Sequence, residues 1–144
     1  MEVPDAIERE VILPVPPTRV WTALTQPDQL SAWFGTSATV DLRPGGEVTF
    51  AWDGSTGPSG AGRGVIETVE PPKRFVFRWQ SVVENVPMTR VEFTLEPHPD
   101  GTRLRLVESG FASLPPELRR RAHGENTEGW QRELGELAQY LAAR

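Results

Sequence analysis

The chain has 144 residues, of which 38% are hydrophobic and 24% charged, and 20 acidic residues against 15 basic ones give a net charge of −5. These values predict one globular domain over residues 1–144, and the acidic balance argues against a protein that binds nucleic acid through a basic face. The chain contains no cysteine, which excludes disulfides, thiolate nucleophiles and cysteine-ligated metal sites.

The sequence also argues against a membrane or secreted protein. No stretch approaches the roughly 20 apolar residues of a membrane span. The acidic N-terminus, "MEVPDAIERE", lacks the apolar core of a signal peptide. We therefore expect a cytoplasmic protein with no integral membrane association.

The first part of the chain predicts one strand and two short helices. Apolar and polar side chains alternate in "AIEREVILPV", as expected of a strand that ends near Pro14. A helix is predicted in "PPTRVWTAL", because proline is tolerated in the first turn of a helix. The stretch "TQPDQLSAWF" predicts a second helix that begins after Pro27 and ends at Gly35.

Further along, the hydrophobic period changes from that of a helix to the period of two that is typical of strands. Tight turns are predicted at Pro71-Pro72 and at Asp100-Gly101. The pattern predicts an antiparallel meander with one apolar and one solvent-facing side. The predicted strands are "GGEVTFAW", "GRGVIETVE", "KRFVFRWQS", "MTRVEFTLE" and "TRLRLVES".

Residues 117–144 predict a long amphipathic helix. Packing this helix across the apolar side of the curved antiparallel sheet gives an α+β fold, in which the two short helices close one end. The apolar stripe of the helix consists of Trp130, Leu134, Leu137 and Leu141.

Four stretches, in this order, resemble the SRPBCC (START-like, Bet v 1-like) superfamily, and within it the branch named for the activator of heat-shock protein 90 ATPase homologues. They are "VWTALTQPDQLSAWFG", "GRGVIETVEPPKRFVFRW", "TRVEFTLEPHPDGTRLRLVESGF" and "GWQRELGELAQYL". The resemblance implies a helix-grip fold, in which the curved sheet wraps around the last helix with an elongated cavity between the sheet and that helix. Members of this superfamily bind lipids, polyketides, hormones or other apolar molecules, and some cyclise or dehydrate them.

Aromatic side chains are the most informative feature of the predicted inner face. They could form an ordinary core, or their large rings could line an apolar pocket between the sheet and the helix. The set comprises Phe34, Phe50, Trp52, Phe75, Phe77, Trp79, Phe93, Phe111 and Trp130.

Three charged residues interrupt the predicted inner face, where a buried charge needs a partner. The resemblance implies that the first and last strands are neighbours, so that Arg9 and Glu108 could meet. Such a pair could fix the strand register, or it could anchor a polar group of a ligand. Glu67 is a further candidate on the predicted face of Val65 and Val69. A desolvated glutamate could also act as a general acid or base.

Two other features of the sequence indicate neither a phosphate-binding loop nor a metal site. The glycine-rich stretch "WDGSTGPSGAGRG" lacks the GxxxxGK[ST] pattern of a phosphate-binding loop, so it predicts a long hairpin loop that could act as a lid. The two histidines, His98 and His123, stand alone and predict no metal site.

Three functions follow as hypotheses. The first is binding of a small hydrophobic or amphipathic molecule between the sheet and the C-terminal helix. The second is an enzyme of the polyketide cyclase/dehydratase type that uses Glu108 or Glu67, and the third is a module that interacts with a chaperone or a regulator. No cofactor or metal is expected, and edge strands would permit a homodimer. The predicted ligand-binding residues are Arg9, Phe34, Phe50, Trp52, Glu67, Phe77, Trp79, Phe93, Leu106, Glu108 and Trp130.

Overall fold

A computed structural model describes residues 4–35, 37–53, 59–80 and 87–142. The tip of the predicted glycine-rich loop, residues 54–58, lies outside the described residues, and so does its predicted role as a lid. The elements are β1 (Ala6–Leu13), α1 (Pro17–Thr25), α2 (Pro27–Trp33), β2 (Ser37–Val40), β3 (Glu47–Asp53), β4 (Ser59–Glu70), β5 (Arg74–Gln80), β6 (Thr89–His98), β7 (Gly101–Ser109), a 3-10 turn (Phe111–Ser113) and α3 (Pro116–Ala142).

The seven strands form one sheet in the order β1-β7-β6-β5-β4-β3-β2. Every pairing is antiparallel. The chain therefore meanders from β2 to β7, and β1 adds to the far edge beside β7. The α+β fold class and the neighbouring first and last strands are as predicted. The short strand β2 was not predicted, because the four residues "SATV" carry too little of a repeating pattern.

The two short helices form as the prolines and Gly35 predict. Pro17 and Pro27 occupy first-turn positions of α1 and α2, where the missing N–H costs no helical hydrogen bond. Gly35, just after α2, has a φ of +81°, a left-handed conformation that ends helices and favours glycine. The indole N–H of Trp33 donates to the carbonyl oxygen of Ala23 at 2.8 Å, which fixes α2 against α1.

The long helix α3 lies on the inner face of the sheet. Its Trp130 ring contacts Trp79 of β5 and Phe93 of β6, with ring centroids 5.7 and 5.9 Å apart. The predicted apolar stripe is buried, and one acidic residue, Glu133, is buried with it. Within the ranges that the structure describes, no helix is long and apolar enough to cross a membrane.

Ion pairs cover the outer face of the sheet. Glu67 accepts hydrogen bonds from Arg78 at 3.1 Å and from Arg90 at 3.3 Å. Arg90 also pairs with Glu92 at 3.2 Å. Because these side chains are partly or largely exposed, each pair contributes at most about 1 kcal/mol.

The prediction that Glu67 faces inward with Val65 and Val69 is wrong. A bulge shifts the β4–β5 register between Ile66 and Thr68. The extra residue reverses the inside–outside alternation, since each register step of one residue changes the face of every side chain. Val65 is consequently 44% exposed and Ile66 buried, whereas Val69 packs against the core.

Candidate functional site

Aromatic rings fill the space in which the family resemblance implies an elongated cavity. Phe34 stacks on Trp130 with ring centroids 5.6 Å apart, and it meets Phe50 and Trp52 edge-on at 4.9 and 5.2 Å. Phe77, Trp79 and Phe93 extend the same cluster, and Leu106 is buried. The void enclosed by these rings is only about 10 Å³, which is about the smallest space that holds one water molecule.

The cluster closes because its rings interlock. Edge-to-face and offset-stacked contacts are favourable for aromatic pairs, and they bring the walls together where the sequence suggested that large rings would hold them apart. Seven predicted pocket residues thus lie in one cluster, and the void that the described residues enclose between them is too small for a ligand. The remaining void is lined by Leu24, Leu30, Trp33, Phe34, Phe50, Phe75, Phe77, Phe93 and Trp130.

Glu108 lies at the edge of this cluster with its side chain fully buried. Its carboxylate accepts hydrogen bonds from the indole N–H groups of Trp79 at 3.0 Å and Trp130 at 2.8 Å. The Thr89 hydroxyl donates a short hydrogen bond to it, and the Asn126 amide lies 3.1 Å from both of its oxygens. One carboxylate therefore ties β5, β6 and β7 to α3.

The predicted pairing of Arg9 with Glu108 is wrong. In the β1–β7 register Arg9 lies opposite Leu106, and Ile7 lies opposite Glu108. The Arg9 guanidinium donates instead to the carbonyl oxygen of Glu8 at 2.7 Å. The partners of Glu108 are therefore the four neutral donors of β5, β6 and α3, and not the predicted arginine.

A separate cleft opens beside the aromatic cluster, where α2, β3 and the C-terminal half of α3 meet. Its volume is about 490 Å³, within the usual range for sites that bind small molecules. Its lining residues are Ser31, Ala32, Trp33, Gly35, Trp52, Arg132, Glu133, Glu136, Gln139 and Tyr140.

Two residues that line this cleft, Trp52 and Glu133, each carry a buried polar atom that has no hydrogen-bond partner in the described part of the chain. One is the indole nitrogen of Trp52 and the other is Oε2 of Glu133. The Trp52 indole lies against the backbone of Gly35, since a Cβ on Gly35 would come within 3.3 Å of the indole nitrogen. A buried polar group without a partner costs about 1–3 kcal/mol, so both atoms need an explanation.

The electrostatics of the cleft centre on Glu133, which is only 4% exposed. Burial, aided by the nearby Glu136 carboxylate, raises the pKa of Glu133 to about 7, although Arg132 opposes the shift. Arg132 reaches only the other carboxylate oxygen, Oε1, at 3.4 Å. Near neutral pH the Glu133 carboxyl can therefore either donate or accept a hydrogen bond.

Sequence reasoning missed Glu133, although its position carried a signal. Glu133 lies three residues after Trp130 and four before Leu137, so helical spacing places it on the buried stripe. Asn126 was missed in the same way, four residues before Trp130. Of the cleft-lining residues that the structure describes, Trp52 alone also belongs to the predicted pocket set.

An open antiparallel sheet of seven strands that packs on one long C-terminal helix defines the helix-grip fold of the SRPBCC superfamily, whose members include ligand-binding and polyketide cyclase-like proteins. Residues 14–142 match the family described as Activator of Hsp90 ATPase homolog 1-like protein. The chain belongs to this family. No curated protein matches the chain.

Solved structures resemble the chain over nearly its whole length. Protein MLL2253 from Mesorhizobium loti is 28% identical with a TM-score of 0.82, over 96% of this chain and 97% of that one. CalU16 from Micromonospora echinospora is 28% identical with a TM-score of 0.68, over 94% of this chain and 74% of that one. DynU16, a protein in the dynemicin biosynthetic locus, is 26% identical with a TM-score of 0.80, over 97% of this chain but only 48% of DynU16.

Proposed function

We propose that this protein binds a small amphipathic molecule in the cleft between α2, β3 and α3. The observation that carries the proposal is that two residues of the cleft lining, Trp52 and Glu133, each hold a buried polar atom without a partner among the described residues: the indole nitrogen and Oε2. An indole N–H only donates, so the ligand offers Trp52 an acceptor. The ligand also offers Glu133 a group with which its carboxyl can share a hydrogen bond.

The ligand would supply the hydrogen-bond partners that the fold does not provide for these two atoms. A hydrogen bond to each atom would recover part of the 1–3 kcal/mol or so that each unpaired group costs. Apolar surface of the ligand would lie against Trp33, Trp52 and Ala32, which line the cleft beside the polar atoms. Binding in such a site combines a few fixed polar contacts with burial of apolar area.

The packed aromatic cluster forms one wall of this site. Trp52 connects the two regions, because its ring lies 5.2 Å from Phe34, centroid to centroid, and also lines the cleft. We propose that the other predicted aromatic residues hold Trp52 in place and do not touch the ligand. DynU16, a relative in the dynemicin biosynthetic locus, is consistent with small molecules as ligands of such folds.

Binding is better supported than catalysis by Glu108 or Glu67. Both oxygens of Glu108 already accept hydrogen bonds, and its side chain has no exposed surface. Glu67 lies on the outer face in pairs with arginines. Neither carboxylate is placed to move a proton on a ligand in the cleft.

The interaction-module hypothesis requires an exposed apolar patch. Ile12 and Val65 are the exposed large apolar side chains of the described residues, at 39% and 44%. They lie on β1 and β4, which β7, β6 and β5 separate in the sheet. They form no common patch, and this favours a small ligand over a protein partner. A cytoplasmic location and a homodimer remain predictions from the sequence.

Blocking the cleft tests the proposal. Gln139 lines the cleft, and Gln131 is an exposed glutamine two turns earlier on α3 that does not line it. We expect native mass spectrometry of the protein, purified from the organism that encodes it, to detect a retained small molecule. Gln139→Trp, which fills the cleft, should lose this molecule, whereas Gln131→Trp should keep it. Equal retention by both variants, or no retained molecule in the unsubstituted protein, would contradict the proposal.

A further inference from the structure

The cleft brings two carboxylates and several aromatic side chains together. Glu133 and Glu136 lie three residues apart on α3, a spacing that places two side chains on one face of a helix. Trp33, Trp52 and Tyr140 also line the cleft. Resting on the proposed function, we infer that the polar end of the ligand is a protonated amine that binds between Glu133 and the aromatic wall.

The unpartnered oxygen of Glu133 suits an ammonium group that enters from the cleft. Arg132 approaches Oε1 and leaves Oε2 without a partner. An ammonium carries three N–H donors and no acceptor, and its hydrogen bonds to a carboxylate are stronger than those between neutral groups. An alcohol would satisfy the same oxygen, but it would not compensate the charge.

Charge and ring faces in the cleft also favour a cation. Among the described residues, the charged side chains that line it are Glu133, Glu136 and Arg132, which together give the ionised lining a net negative charge. The Arg19 guanidinium lies 5.4 Å from the centroid of the Tyr140 ring, which shows that this ring already contacts a cation. Indole rings attract cations more strongly than phenol rings do, so Trp52 is the ring best suited to the amine.

The pH dependence follows from the groups that face Glu133. On α3 these are Arg132 and Glu136, while the described residues of α2 and β3 that line the cleft, such as Ser31, Trp33 and Trp52, carry no acidic or basic side chain. Burial raises the pKa of Glu133 to about 7. A protonated amine prefers the ionised carboxylate, so its affinity rises with pH and falls about tenfold from pH 8 to pH 6.

Three probes that differ only in their polar end test this inference. They are 2-(1-naphthyloxy)ethylamine, 2-(1-naphthyloxy)ethanol and (1-naphthyloxy)acetate, and each carries the same ether oxygen as an acceptor for Trp52. By isothermal titration calorimetry at pH 8, we expect the amine to bind about tenfold more tightly than the alcohol, since charge-assisted hydrogen bonds are roughly twice as strong as neutral ones. The acetate should bind most weakly.

Two substitutions test whether the charge of Glu133 causes the preference for the amine and whether the probes bind in the cleft. Glu133→Gln should reduce the affinity for the amine to that for the alcohol and should remove its dependence on pH between 6 and 8. Gln139→Trp should weaken binding of every probe at least tenfold, whereas Gln131→Trp should not.

The outcomes separate this inference from the proposed function. Tighter or equal binding of the alcohol or the acetate, still sensitive to Gln139→Trp, would overturn the inference and leave the binding cleft standing. Amine binding that is unchanged by Glu133→Gln would also overturn it. Failure of all three probes to bind would contradict both proposals.

Discussion

Replacing Glu108 with alanine is expected to lower the free energy of unfolding by at least about 4 kcal/mol, because it leaves several buried donors unpaired at a cost of about 1–3 kcal/mol each. The donors are Trp79, Thr89, Asn126 and Trp130, which belong to β5, β6 and α3. A loss of this size approaches the whole stability of an ordinary domain, about 5–15 kcal/mol. We expect most of the Glu108→Ala protein to be unfolded or insoluble.

Glu108→Gln keeps the shape of the side chain and changes only its charge and its hydrogen-bonding groups. One oxygen is retained, but the amide NH₂ replaces an acceptor and faces N–H groups that can only donate. We expect a loss of about 2 kcal/mol in urea-induced unfolding, since at least one buried donor loses its acceptor. The matched control is Glu67→Gln on the exposed face of the sheet, which should cost less than about 1 kcal/mol. Equal unfolding midpoints for Glu108→Gln and the unsubstituted protein would contradict the role assigned to Glu108.

Replacing Glu133 with glutamine is expected to stabilise the folded protein, whereas the same replacement at Glu108 destabilises it. At pH 8, Glu133→Gln should raise the free energy of unfolding by about 2–3 kcal/mol, because it removes a buried charge. Each unit by which folding raises the pKa of this carboxyl corresponds to about 1.36 kcal/mol. Burial and the nearby Glu136 raise the pKa of Glu133 from 4.5 to about 7 in the folded protein. The folded state therefore holds a proton that the unfolded state has lost.

The direction of the pH effect follows from this difference. Between pH 4.5 and about pH 7 the folded state binds more protons, so the contribution of Glu133 to stability falls as the pH rises through this range. Below pH 4.5 the carboxyl is neutral in both states, and the variant should match the unsubstituted protein. The measurement is the difference between the two unfolding free energies at pH 4, 6 and 8, which cancels the titration of all other groups.

An exposed glutamate of the same helix provides the control. Glu128 on α3 does not line the cleft, and Glu128→Gln should change stability by less than about 0.5 kcal/mol at each pH. A difference between Glu133→Gln and the unsubstituted protein that stays constant from pH 4 to pH 8 would contradict the account of Glu133. A residue that destabilises the fold at neutral pH and lines a cleft is typical of a functional site, since activity often costs stability.

The repeating patterns of the chain predicted most of the fold. The alternation in β5, β6 and β7 and the helical stripe from Trp130 to Leu141 are features of single elements, and a sequence displays them directly. The bulge in β4 is different, because it inserts one residue between Ile66 and Thr68 without any signal in the local composition. That single step placed Glu67 on the wrong face.

The site was harder to predict because it depends on contacts between elements. The partners of Glu108 come from two other strands and a helix, and the β1 register that separates it from Arg9 is set by pairing over the whole strand. Whether aromatic rings enclose a cavity or fill it depends on the rotamers they adopt together. Glu133 could have been found from helical spacing alone, but its missing partner could not.

We expect ligands to enter the cleft beside Trp52 and not the packed aromatic cluster. The chain has five tryptophans, so a two-dimensional ¹H–¹⁵N spectrum contains five indole N–H signals, and that of Trp52 can be assigned from its loss in Trp52→Phe. Titration with 2-(1-naphthyloxy)ethylamine at pH 8 should move the Trp52 signal to higher proton frequency, as its free N–H gains an acceptor. The signals of Trp79 and Trp130, which already bind Glu108, should stay in place. Movement of those two signals with the Trp52 signal unchanged would place the ligand inside the cluster and contradict the account.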